Sequence, residues 1–149
     1  MPVIGVSHFE RFFRAAASLD VDKDDLKRCQ DFVNHKVADL LVRAEALAKG
    51  NGRDIIEYID LPITKGLQES IHRFQQLDAE VELEPVLERV TVWPQLDLGL
   101  SEEARDHLPV VAGGLCLALA RSFPLIDPDV KNPQTKHWER AFQIFDLLL

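Results

Sequence analysis

Asp31, His35 and Asp39 stand four residues apart, and so do Glu103 and His107. Groups at that spacing share one face of a helix, so carboxylate and imidazole have the geometry to hold a divalent metal. Solvated helix faces produce the same arrangement often, and that reading outweighs a ligand role. His8, His72 and His137 show no partner pattern, and the chain carries no Gly-rich phosphate loop, no HExxH and no GxSxG. No catalytic residue, cofactor or metal site is predicted, and the chain is read as a non-enzyme. Two other sets have chemistry of a different kind. Arg53 and Asp60, seven positions apart, can form a charge-assisted pair that pins a loop while Asp60 caps free amides. Arg11, Arg14, Lys23, Lys27 and Arg28 make the one basic cluster that could meet phosphates.

The bulk numbers restrict what these residues can serve. At 149 residues with 46% hydrophobic content, the chain fits one domain, 1–149, with a real core. Its 17 basic and 25 acidic groups give a net charge of −8, which predicts a soluble molecule that repels polyanions and acidic membranes. Neither half is basic: residues 1–78 hold 11 basic against 13 acidic groups, and residues 79–149 hold 6 against 12. Cys29 and Cys116 lack any disulfide or zinc spacing and are expected as packed, reduced thiols of a cytoplasmic protein. The start of the chain lacks the pattern of a secretory signal. The most apolar run, Leu108 to Ala120, is thirteen residues long, short of the roughly 20 that span a bilayer, so no membrane span is predicted.

The elements that would position these residues follow from periodicity. Ser7 and Glu10 have capping-box spacing before Phe9, Phe12, Phe13 and Ala16, predicting a short helix from about His8 to Ala17. Asp22 or Asp24 can cap the next helix, whose apolar positions 26, 29, 33, 37, 40, 41, 44, 47 and 48 form one long stripe. Gly50, Asn51 and Gly52 end it. "RDIIEYI" reads as extended, and Asp60 and Pro62 open a helix to about Leu77. A second series follows. "EPVLERV" is a short helix, and Ser101 caps a long apolar helix ending near Phe123 and Pro124. Thr135 then caps "KHWERAFQIFDLLL". Pro109 requires that long helix either to kink or to begin near Asp106. Gly113 and Gly114 suit a close approach, placed where the two long helices cross. Phe142, Phe145, Leu148 and Leu149 read as a core-facing stripe.

Short, long and short helices, twice over, resemble a pair of histone folds fused in one chain. "GRDIIEYID" carries Gly52, Arg53, Ile55, Ile56 and Asp60 in the register of the histone second loop, and "FERFFRAAA" resembles the first histone helix. The chain is similar to an uncharacterised bacterial family of single-chain double histone folds. That resemblance implies an all-α histone-fold pseudodimer: a first repeat at 8–77 and a diverged second repeat at 81–149, joined in an intramolecular handshake. Each first loop would lie beside the other repeat's second loop, with Val21 near Val130 and Val92 near Ile56. The second repeat lacks an Arg and Asp in the matching register, so its second loop must be pinned differently.

For function, the two positions after Arg53 that resemble the DNA-contacting basic residue and Thr of histones are Asp54 and Ile55. One repels phosphate and the other lacks a hydroxyl. The expectation is therefore a non-catalytic interaction or scaffold module with a protein partner or self-association. The alternative is nucleoid-type, sequence-independent DNA binding through Arg11, Arg14, Lys23, Lys27 and Arg28, which the acidic charge disfavours. An unrecognised metal-dependent enzyme is a distant third reading.

Overall fold

Three phenylalanines at helical spacing, Phe9, Phe12 and Phe13, are fully buried and define the inner face of the first helix, α1 (Val6–Ala17). The computed structural model describes residues 5–149. Helix α1 starts earlier than the Ser7 and Glu10 spacing suggests. Gly5 occupies the N-cap at φ 75°, in the left-handed region, and Ser7 lies inside the helix. A Cβ at Gly5 would overlap the Val86 side chain, so close packing as well as backbone freedom requires glycine there.

Helix α2 (Lys23–Gly50) begins at a reciprocal capping box, in which Asp22 accepts from the Asp25 amide at 2.9 Å and Asp25 accepts from the Asp22 amide at 3.0 Å. Its buried face runs from Leu26 through Cys29, Val33, Val37 and Leu41 to Ala48, while Leu47 is 49% exposed and leaves the stripe. Beyond it, β1 (Ile55–Ile56) leads into a 3₁₀ turn at Tyr58–Asp60. Helix α3 (Lys65–Val81) begins later than Asp60 and Pro62 suggest. Thr64 is its cap, accepting from the Leu67 amide at 3.2 Å, because the carboxylate of Asp60 is already committed to the turn before it.

Helix α4 (Glu84–Val90), strand β2 (Gly99–Leu100) and helix α5 (Glu102–Ile126) follow. Ser101 caps α5 by accepting from the Ala104 amide at 3.0 Å. The helix begins there rather than near Asp106, and it continues through Pro109 and past Pro124 to Ile126. Helix α6 (Thr135–Leu148) has Gln134, not Thr135, at its N-cap. The order short, long, short thus occurs twice, and with 73% helix the class is all-α.

Helix α5 lies at the centre and touches α1, α2, α3, α4 and α6. It is long and apolar enough to cross a membrane on length and composition, but here Leu108, Val111, Leu115, Leu119 and Phe123 are buried against those helices. Gly113 and Gly114 face α3 rather than the other long helix. A Cβ at Gly113 would overlap the Phe74 ring, and one at Gly114 would meet the Ile71 backbone at 3.0 Å. Cys29 of α2 meets Cys116 of α5 at 3.7 Å between sulfurs.

The halves join at both ends through their loops. Strands β1 and β2 pair in parallel, Ile55 with Gly99 and Ile56 with Leu100. At the opposite end the Asp20 amide donates to the Lys131 carbonyl at 2.8 Å, beside the half-buried Val21 and Val130. Val92 is not the neighbour of Ile56. Its amide donates instead to Asn34 Oδ1 at 3.1 Å, while Asn34 Nδ2 donates to the Val90 carbonyl, so α2 holds the start of that loop and the strand register falls eight residues later.

Candidate functional site

The loop between α2 and α3 holds the best-formed charged pair. Arg53 donates to both Asp60 oxygens, at 2.6 and 2.5 Å, and Asp60 also accepts from the Glu57 amide at 2.8 Å. Asp60 is 2% exposed. The Arg53 guanidinium, helped by that amide, holds the Asp60 carboxyl below the usual range against the opposing effect of burial. Both Asp60 oxygens are thus engaged, and the pair ties the start of the loop to its end.

The corresponding loop of the second half is held by other residues. His137, at the start of α6, accepts the Gln134 amide proton at Nδ1 (2.8 Å) and faces Asp127 Oδ2 through Nε2 at 3.0 Å. The His137 contact lowers the Asp127 carboxyl, with the Asp129 amide contributing. The ten-residue separation of Asp127 and His137 matches no helical period, so periodicity did not reveal it.

The basic cluster is largely engaged with the protein. Arg11 donates to the Val81 carbonyl at 3.2 Å and lies 3.2 Å from His8 Nδ1, at the C-terminus of α3. Arg14 meets Asp20 at 3.5 Å, and Arg28 donates to the Thr135 hydroxyl at 3.2 Å. Among the described residues, Lys23 and Lys27 alone of the five lack a partner, and both are exposed. They stand beside a cavity of about 350 Å³ lined by Asp20, Asp22, Asp24, Asp25 and Arg28. A phosphate approaching there meets four carboxylates.

The histidine and carboxylate sets do not converge. His35 and Asp39 form an exposed contact at 3.8 Å. His107 Nδ1 lies 2.8 Å from the Glu103 main-chain carbonyl rather than the carboxylate, and its ring stacks on Tyr58 with centroids 4.2 Å apart. No cluster of three or more His, Cys, Asp or Glu suited to a metal ion occurs among the described residues.

The remaining candidate surface is the end of α6. Phe142 and Phe145 pack on Phe32, with centroids 5.4 and 5.2 Å away. Leu148 does not join them: it is 73% exposed, and Leu147 is 85% exposed. The apolar stripe therefore rotates out of the core in the last turn. Leu148 and Leu149 border a cavity of about 330 Å³ with Leu40, Leu115 and Pro62, flanked by Lys36, Asp39 and Arg43. Lys36, 4% exposed, is locked to Asp146 at 2.6 Å, tying α6 to α2. Lys36 and Asp146 lie 110 residues apart, a relation that no local spacing carries. Buried Asp25 likewise accepts from the Trp138 indole at 2.8 Å, and burial raises its carboxyl above the usual range against the pull of its two hydrogen bonds.

These features define an all-α protein whose two helix triplets meet through their loops, at the β1 and β2 pair and at the Asp20 to Lys131 hydrogen bond. Residues 9–146 match the family described as "Domain of unknown function (DUF1931)", and the chain belongs to that family. It is similar to a crystal structure of a protein from Thermus thermophilus, with 52% identity, 99% of each chain covered and a TM-score of 0.87. A crystal structure of an Aquifex aeolicus protein is 26% identical over 97% of this chain and 95% of that one, with a TM-score of 0.83. An uncharacterized protein of Aquifex aeolicus (strain VF5) is 28% identical over 142 residues, 95% of this chain and 82% of its own length.

Proposed function

We propose that the chain is a histone-fold pseudodimer working in the cytoplasm as a non-catalytic interaction module or scaffold. The pairing of each short-to-long loop with the other half's long-to-short loop supports the histone-fold reading, through the strand pair at one end and the Asp20 to Lys131 bond at the other. The observation that carries the interaction reading is the apolar end of α6, where Leu147 and Leu148 are largely exposed beside the Leu40 and Leu115 cavity. Apolar groups left in water at one place favour a partner surface. Engagement of Arg11, Arg14 and Arg28 by protein acceptors argues for the same reading over DNA binding.

Titration into labelled duplex DNA at about 50 and about 200 mM salt separates the two, since phosphate contacts weaken steeply with salt. Absence of binding at both salts, together with a protein complex or self-association that Leu147→Asp and Leu148→Asp abolish, is the expected result. DNA binding at low salt that collapses at high salt, and that Lys23→Gln and Lys27→Gln remove, overturns it.

A further inference from the structure

Cys29 lies on the apolar stripe of α2 between Leu26 and Val33, and Cys116 lies among Leu115, Leu117 and Leu119 of α5. Both are fully buried, and their sulfurs stand 3.7 Å apart where the two long helices meet. Among the described residues, the one hydrogen-bonding partner of each sulfur is the other. No third His, Cys, Asp or Glu gathers with them into a cluster suited to a metal ion. The chemistry left to such a pair is between the sulfurs themselves: two-electron oxidation to a disulfide. The gap exceeds a sulfur–sulfur bond by less than the swing of one cysteine side chain about its Cα–Cβ bond.

The two thiols are not equivalent. The hydrogen bond to Cys116, with burial, holds the Cys29 thiol in its protonated form, so Cys29 is the poorer first nucleophile. We propose that the pair is a redox lock: a peroxide oxidises the Cys116 sulfur, and Cys29 resolves it to a disulfide that ties α2 to α5. In the first step Cys116 takes one peroxide oxygen, the O–O bond breaks, and a sulfenic acid and one water result. In the second step the Cys29 sulfur attacks the sulfenic sulfur. The S–O bond breaks, the Cys29 proton leaves with the hydroxyl as a second water, and the S–S bond forms. The sulfurs together give up two electrons, which reduce one peroxide to two waters.

Both sulfurs are enclosed, so the oxidant reaches them as α2 opens from α5, and the rate of locking reports that opening. Hydrogen peroxide is uncharged and has two heavy atoms, which suits it to a narrow opening better than an alkylating reagent. The partners are 87 residues apart, and α3 and α4 lie between them. A link across so long a segment joins the long helix of one triplet to that of the other and removes much of the freedom of the unfolded chain. The reduced protein can part its long helices, and the oxidised protein cannot.

Treatment of the native full chain with hydrogen peroxide, followed by denaturation, thiol counting and intact mass, tests the lock. The expected result is loss of both thiols and of two hydrogens, a peptide map joining Cys29 to Cys116, and reversal by dithiothreitol. The thermal midpoint of the oxidised chain is expected to lie above that of the reduced one by about 5 °C or more. In Cys29→Ala the sulfenic acid has no resolving thiol and is trapped on Cys116 by dimedone, and Cys116→Ala gives several-fold less adduct. The wild-type measurements stand even if a variant fails to fold. The proposal is overturned if both thiols survive peroxide, if the link forms only in denaturant or between two chains, or if the oxidised chain melts no higher than the reduced one. Equal dimedone trapping in the two variants overturns the assigned roles.

Discussion

The His137 imidazole bridges a backbone amide and a carboxylate: Nδ1 accepts the Gln134 N–H at 2.8 Å, and Nε2 faces Asp127 at 3.0 Å. A ring nitrogen that accepts an N–H carries no proton, so the partners assign the neutral Nε2–H tautomer, which donates to Asp127. His137 is 5% exposed, and its removal leaves the Gln134 amide without its acceptor and Asp127 with the Asp129 amide alone. His137→Ala is expected to cost about 2 kcal/mol in urea denaturation and to speed hydrogen exchange at the Gln134 amide. An unchanged exchange rate there would mean that the loop is held by other contacts.

Asp60 makes stability sensitive to acid. Its carboxyl titrates below the ordinary 3.8 in the folded chain, so the contribution is fully present above that value and is lost as the pH falls through the lower, folded one. Stability measured between about pH 2 and 7 is expected to fall at the acid end, and Asp60→Asn to flatten that limb. Asp60→Ala, which strands Arg53 and the Glu57 amide, is expected to cost about 3 kcal/mol.

Three glycines separate close packing from open surface. Gly114→Ala sets a methyl against the Ile71 backbone and is expected to cost about 1–3 kcal/mol, and Gly113→Ala to do the same through the Phe74 ring. Gly66, in the first turn of α3, has nothing within 4 Å of its would-be Cβ. Gly66→Ala is expected to stabilise by about 0.5–1 kcal/mol, since alanine loses less freedom in a helix. Thermal melts of the three variants check the contrast.

The two thiols are expected to resist alkylation in the native chain. Cys29 and Cys116 are fully buried, and hydrogen bonding between the sulfurs together with burial raises the Cys29 thiol well above its usual range. The thiolate that attacks a reagent is therefore scarce and enclosed. Thiol counting should find both groups only after denaturant is added; rapid native labelling would reveal local opening between α2 and α5.

Relations spanning a turn or two of chain were readable before any coordinates. Asp22 before a long apolar stripe, the glycines after it, Ser101 before α5 and the span "EPVLERV" all express hydrogen bonds or periodicity within three or four residues. The seven-residue step from Arg53 to Asp60 follows no helical period and was readable through the resemblance of "GRDIIEYID" to a histone second loop. Other features depended on how helices cross. Lys36 with Asp146, Asp25 with Trp138, the parallel pairing at Gly99 and Leu100, and the choice of α3 as the helix against Gly113 and Gly114 link residues far apart in the chain. The start of α3 moved to Thr64 because Asp60 was drawn into a turn by Arg53 and the Glu57 amide. Spacing encodes bonds that one helix makes with itself, whereas packing decides which faces meet, and side chains that share a site across that contact have no common period to announce them.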